Sequence, residues 1–168
     1  LNECVEDPSL ITNENFPFMG VISTFLKGNI PCRIARISFS GELAFEVYIK
    51  SDFANTMMDL LWENAQKYDG CLYGLEALGA LRVEKGHVTG AELDGRVTID
   101  DAGLGKMASI KKSYIGSAMR KRGVLSDDDR QSLVGFFPTD LKETFNAGTI
   151  VCEKHNIKAV SYTHLRAH

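Results

Sequence analysis

The 168-residue chain sets 22 Asp and Glu against 19 Lys and Arg, a formal net charge of −3, with 44% hydrophobic and 24% charged residues. This balance is ordinary for a globular protein and gives no general pull toward nucleic acid or an anionic membrane surface. No apolar run approaches the ~18 residues of a spanning helix, and no basic segment followed by an apolar one marks a secretory signal after Leu1.

Cys4, Cys32, Cys71 and Cys152 are spread along the chain without a CxxC pair. That spacing suits neither a zinc ribbon nor a dense disulfide framework, so reduced thiols in a cytoplasmic protein are expected.

The stretch from Met19 to Ile49 reads as β. Val21, Ile22, Phe25 and Leu26 are strand formers, and Gly28-Asn29 supplies a turn. Strand character resumes from Ile30 to Phe39 and is interrupted by Ser40-Gly41-Glu42. Leu43, Phe45, Val47 and Ile49 then alternate with Ala44, Glu46, Tyr48 and Lys50, which places the first set on the core and Glu46 on the opposite face.

Ser51 is the expected N-cap of a helix carrying Phe53, Met57, Leu60, Leu61, Ala65 and Tyr68 at helical spacing, stopped by Gly70. A second helix is predicted over Leu75 to Lys85, with Leu75, Leu78, Leu81 and Ala77 inward and Gly86 at its end. The run from His87 to Gly105 reads as loop. Lys106 to Gly123 is basic, with a short helix from Gly116. Leu133 to Phe137 and Thr149 to Cys152 read as strands joined through Asn146-Ala147-Gly148, so a second, small β domain is expected from near Gln131. Val160 to His168 breaks the pattern and resembles translated sequencing-adapter read-through, so this tail is set aside from functional argument.

Generic motifs return little. Gly103-Leu-Gly105-Lys106-Met107 superficially suggests a phosphate loop, yet Asp100 and Met107 occupy positions that require Gly and Ser or Thr. No GxGxxG follows a strand, and no HExxH or GxSxG occurs. No cluster with ligand spacing surrounds His87 or His155, so no metal site is expected.

Longer blocks are more informative. Arg36-Ile-Ser-Phe-Ser-Gly-Glu-Leu-Ala-Phe-Glu-Val47 resembles the strand–turn–strand signature of the aminomethyltransferase family, which includes the glycine-cleavage T-protein, dimethylglycine oxidase and the sarcosine oxidase alpha subunit. Gly74 to Gly86 resembles the family's helix ending in Leu-Arg-x-Glu-x-Gly. Gly90-Ala-Glu-Leu-Asp94 and Asp101-Ala-Gly-Leu-Gly105 resemble its two following loops. The likeness runs from about Phe16 to Lys158. Glu76 to Gly95 and Ser109 to Gly116 look more like the sarcosine oxidase alpha branch than like the glycine-cleavage enzyme. The T-protein carries an Arg where this chain has Leu78, and the iron–sulfur and tRNA-linked folate proteins carry a Cys where it has His87.

The resemblance implies an α+β fold. It corresponds to the second half of the aminomethyltransferase folate-binding domain over residues 1–125. The start of a small β-barrel domain follows over residues 131–159, and residues 160–168 form a non-native tail. It also implies capture, by tetrahydrofolate, of the one-carbon unit from oxidative demethylation of sarcosine, giving 5,10-methylenetetrahydrofolate. FAD, FMN and NAD are expected in the full complex outside this chain, as are the beta, gamma and delta subunits as partners. The alternatives are a glycine-cleavage-type aminomethyltransferase and a non-catalytic folate-binding scaffold.

Glu46 is the implied pterin ligand, because a pterin edge presents adjacent N–H donors and a carboxylate accepts two of them. Without the family blocks, a solvated strand Glu would be the default. Tyr48 shares the Glu46 face and is a second expected folate contact, with aromatic packing as the plain alternative. Arg82 is the third, although Arg82 and Glu84 on the second helix equally suit an internal ion pair. Glu42 suits a turn-stabilising role. The basic run Lys106 to Arg122 suits either a folate polyglutamate tail or a solvated face. The group acting at the folate nitrogen is expected upstream of Leu1, so no catalytic residue is assigned, and the chain alone is expected to be inactive.

Overall fold

The computed structural model describes residues 1–127, 129–136, 138–140, 146, 148–153 and 156–160. The chain divides into two units, Leu1–Leu81 and Arg82–His168.

The first unit is organised by a three-stranded antiparallel sheet, β1 (Val21–Leu26), β2 (Ile30–Ala35) and β3 (Glu46–Ile49), in the order β1-β2-β3. Leu26 pairs with Ile30 across the loop Lys27–Asn29, in which Gly28 and Asn29 have φ of 81° and 57°. Both residue types tolerate the left-handed region, so the expected turn forms there. Register then sets the rows: Ile22, Ile34 and Val47 lie side by side on one face, as do Thr24, Cys32 and Ile49.

That face carries the core. Leu26, Ile30, Cys32 and Ile34 are buried, together with Val5, Ile11 and Phe16 from the N-terminal segment. Helix α1 (Ala54–Gln66) covers them with Met57 and Leu60, preceded by Phe53. Glu3 ties the N-terminal segment to the end of α1 through Lys67, at 3.2 Å, and the Tyr68 hydroxyl. Arg36, the first residue of the family signature, donates from Nη1 to the Phe16 carbonyl at 2.6 Å, and its own N–H bonds the Gly20 carbonyl at 3.0 Å.

Several local expectations change. β2 ends at Ala35 instead of Phe39, and β3 begins at Glu46. Leu43, expected on the core face, is 68% exposed. It lies beyond a tight turn in which Gly41 has φ 106° and Ser38 Oγ accepts the Gly41 N–H at 2.7 Å, so strand alternation does not extend back to it. The Ser40 hydroxyl donates to the Glu42 carboxylate in the same turn, the structural role expected for Glu42. Ser51 does not cap α1: a 3-10 turn, Ser51–Phe53, leads in and Phe53 precedes the helix without a side-chain cap. At the other end Asp69, with φ 54°, takes the left-handed position before Gly70.

Helix α2 spans Leu75–Lys85, the predicted bounds. Its end has two hydrogen bonds, His87 N–H to the Arg82 carbonyl at 2.8 Å and Gly86 N–H to the Val83 carbonyl at 2.9 Å, with Gly86 at φ 76°. This is a Schellman cap. Gly86→Ala is therefore expected to cost about 1–2 kcal/mol, read as a lower midpoint in thermal unfolding. Leu75 is 86% exposed and Ala77 is also exposed, so the inward face reduces to Leu78 and Leu81.

In the second unit residues 87–104 are turns and loop, as expected, and α3 (Ser117–Arg120) follows Gly116. β4 (Ile150–Glu153) and β5 (Asn156–Val160) form an antiparallel hairpin with an irregularity between Val151 and Cys152. Residues 131–136 form no strand, contrary to expectation, and Phe137 lies outside the described residues. Val160, assigned to the tail, pairs with Ile150 in this hairpin; residues 161–168 lie outside the described residues. Among the described residues, no helix is long and apolar enough to cross a membrane.

Candidate functional site

The face of the sheet opposite the core is open except at Ala35, which is buried. Val21, Ser23 and Phe25 of β1, Pro31 and Arg33 of β2, and Glu46 and Tyr48 of β3 are all exposed. Period-two alternation produces this division, with Val47 and Ile49 turned toward the core while Glu46 and Tyr48 face outward. The rows on the open face are Val21–Ala35–Glu46 and Ser23–Arg33–Tyr48, with Phe25 opposite Pro31.

Glu46 and Tyr48 meet directly. The Tyr48 hydroxyl donates to Oε2 of Glu46, and this hydrogen bond to the carboxylate raises the hydroxyl above its usual pKa. The carboxylate thus has one neighbour on its own strand, on a surface that offers acceptor oxygens, a phenol, a guanidinium and three apolar side chains. Such a face suits a flat, partly apolar ligand with N–H donors on its edge.

Arg82 has a different setting. It is 9% exposed at the C-terminal end of α2, and its Nη1 donates to both oxygens of Glu92 at 2.9 Å and to the His87 carbonyl at 3.1 Å. Glu92 also accepts the Thr89 N–H at 2.7 Å and the Thr89 hydroxyl at 3.2 Å. Burial pushes the Glu92 carboxyl up, but the Thr89 N–H and the Arg82 guanidinium together outweigh it and hold the group below its usual value. Sequence reasoning paired Arg82 with Glu84; Glu84 is exposed, and the ion pair runs to Glu92.

Further ion pairs in the second unit, among them two that span twenty residues or more, were not anticipated. Asp100 holds Arg120 in a bidentate pair at 2.6 Å, and Asp101 holds Arg130. The Arg130 guanidinium and the Thr98 N–H depress the Asp101 carboxyl strongly. A shallow cleft lined by Asp94, Arg96, Val97, Asp101, Asp129, Arg130 and Gln131 lies beside this pair. Lys106, Lys111, Lys112, Lys121 and Arg122 are exposed, and Arg120 is engaged with the Asp100 carboxylate. Among the described residues, no group of three or more His, Cys, Asp and Glu side chains is arranged to hold a metal ion.

The GCVT N-terminal domain model matches residues 1–112, which include the sheet, α1, α2 and the Arg82–Glu92 pair. The chain belongs to this family. It is 38% identical over 146 residues to a protein named sarcosine oxidase subunit alpha from Rhizobium meliloti (strain 1021), covering 86% of this chain and 15% of that protein. A protein of the same name from Corynebacterium sp. (strain U-96) is 36% identical over 131 residues, 77% of this chain and 14% of its own length. A protein named aminomethyltransferase from Corynebacterium jeikeium (strain K411) is 35% identical over 89 residues, 51% of this chain and 23% of that protein. The GCVT-family chain therefore spans about a seventh of the sarcosine oxidase relatives. The family identified from the four sequence blocks is the one found.

Proposed function

We propose that the chain is a folate-binding part of a longer subunit of the sarcosine oxidase alpha type, where a one-carbon unit from oxidative demethylation of sarcosine passes to tetrahydrofolate. The observation that carries this reading is the exposed Glu46–Tyr48 pair on the open sheet face, within a chain 38% identical to a sarcosine oxidase alpha subunit. Glu46 accepts two N–H groups of the pterin edge, and Tyr48 orients the carboxylate through its hydroxyl while its ring flanks the ligand. Holding the pterin in one pose is catalysis by positioning, and the group that assists at the folate nitrogen comes from elsewhere in the subunit.

Arg82, expected as a folate contact, is instead taken up by Glu92 and the His87 carbonyl, contacts that order residues 87–92 at the end of α2. The rest of the subunit and its beta, gamma and delta partners supply FAD, FMN and NAD. The β4–β5 hairpin belongs to a small β-barrel domain that begins near Gln131. A cytoplasmic setting accords with four free cysteines, of which Cys71 and Cys152 are exposed. Leu78, in the position where the glycine-cleavage enzyme carries an Arg, favours the oxidase over that enzyme.

Calorimetric titration of the full-length subunit with tetrahydrofolate tests this. Glu46→Gln is expected to weaken binding at least tenfold, about 1.4 kcal/mol, with Tyr48→Phe losing less. Absence of binding by a well-folded subunit would overturn the folate assignment.

A further inference from the structure

Arg33 stands one strand from the Glu46–Tyr48 pair. It is directly opposite Tyr48 in the β2–β3 register, it is exposed, and its neighbours Cys32 and Ile34 turn to the core. Glu46, Arg33 and Phe25 therefore fall on one diagonal of the open face, one residue from each strand. The Arg36, Arg82, Arg96, Arg120 and Arg130 guanidinium groups each meet a carboxylate or a backbone carbonyl. Among the described residues, Arg33 has neither a salt bridge nor a hydrogen-bonded side-chain partner.

We propose that Arg33 binds a glutamyl carboxylate of the folate substrate and thereby fixes the direction in which the ligand lies across the sheet. The inference rests on the reading that Glu46 holds the pterin. The two ends of a folate differ in chemistry: the pterin edge donates hydrogen bonds, and the glutamyl end is anionic. An acceptor and a guanidinium on one face complement those two ends in a single orientation, since reversing the ligand would set carboxylate against carboxylate and pterin N–H against guanidinium. Diagonal neighbours on adjacent strands have Cβ atoms about 7–8 Å apart. The long, flexible arginine stem adds reach in the direction away from Glu46, along the diagonal toward Phe25. Phe25, next beyond Arg33 on the diagonal, and Val21, in the row of Glu46, are exposed on the same face and offer apolar contact to the ligand's aromatic part.

The test is calorimetry on the full-length subunit with two probes, tetrahydrofolate monoglutamate and 6-methyltetrahydropterin, which lacks the benzoylglutamate. Arg33→Met is expected to weaken tetrahydrofolate about tenfold or more, to leave the pterin probe unchanged, and to reduce the salt dependence of tetrahydrofolate binding. Arg33→Lys should recover part of the loss. An equal loss for both probes, or no loss for either, overturns the role, as does a wild-type subunit that binds no tetrahydrofolate. Glu46→Gln should weaken both probes. If it weakens neither while Arg33→Met retains its selective effect, the pterin assignment fails and the carboxylate contact stands. Unchanged unfolding midpoints, expected for an exposed side chain, separate binding from folding.

Discussion

Replacing Glu92 with alanine is expected to destabilise the protein by about 3–5 kcal/mol, measured as a loss in urea-unfolding free energy. The side chains of Arg82 and Glu92 are 11% and 7% exposed, so removing the carboxylate leaves the Arg82 guanidinium in a poorly solvated place without its counter-charge. The Thr89 N–H, which donates to Glu92, loses its acceptor in the same substitution. Exchanging both partners for apolar residues, Arg82→Met with Glu92→Leu, should recover most of the loss, because no uncompensated charge then remains. A double variant as unstable as Glu92→Ala would show that the pair acts through something other than charge compensation.

The same carboxylate gives a pH signature. Glu92 is lowered from 4.5 in the folded state, so the unfolded chain binds the proton more readily. Its contribution is complete above about 4.5 and is lost as the pH falls through the depressed folded value. Glu92→Gln should therefore make stability fall less steeply with acid below about pH 4.5 than it does in the wild-type protein.

This pair also marks where the sequence stops being legible. Arg82 and Glu92 are ten residues apart, across a helix end and a turn, and no helical or strand period relates them. The nearer Glu84, two positions along the helix, looked like the partner, yet residues i and i+2 point to different sides of a helix. The Asp100–Arg120 and Asp101–Arg130 pairs are hidden for the same reason. Helix α2 itself was legible to its ends because Gly86 supplies the left-handed cap that stops it, a local signal independent of tertiary packing. Its buried face was not, since Leu75 looks like a core residue by spacing and stands exposed.

The sheet shows the same division. Alternation placed Glu46 and Tyr48 together on the face away from the core, where they are found, because residues 46–49 are one regular strand. The period failed at Leu43 because the Ser38–Leu43 turn reorients the chain just before β3 begins. Val5, Ile11 and Phe16 join the core as well, but from an isolated bridge to Leu26, a 3-10 turn and a bend, with no repeat among them. Their burial is decided by β1 and β2, against which they pack. Family blocks identified the chain because they record such combined constraints, which hydrophobic periodicity alone does not contain.

Ile34→Ala is expected to cost about 2–5 kcal/mol in urea unfolding, and Ile34→Val about 0.5–1.5 kcal/mol. Ile34 is fully buried in the central strand, between Ile22 and Val47 on the core face. Truncation to alanine removes most of a side chain that strands on both sides, the N-terminal segment and α1 cannot readily close over, since β2 is pinned by hydrogen bonds on both edges. The milder variant separates core from site. Ile34 lies between Arg33 and Ala35 in sequence yet points to the opposite face, so Ile34→Val should lower the unfolding midpoint while leaving tetrahydrofolate affinity of the full-length subunit within about twofold, a shift of about 0.4 kcal/mol. A larger loss of affinity would mean that the open face depends on the fine packing beneath it, and that the register of β2 against β3 positions Arg33 and Glu46 less rigidly than the hydrogen-bonded ladder implies.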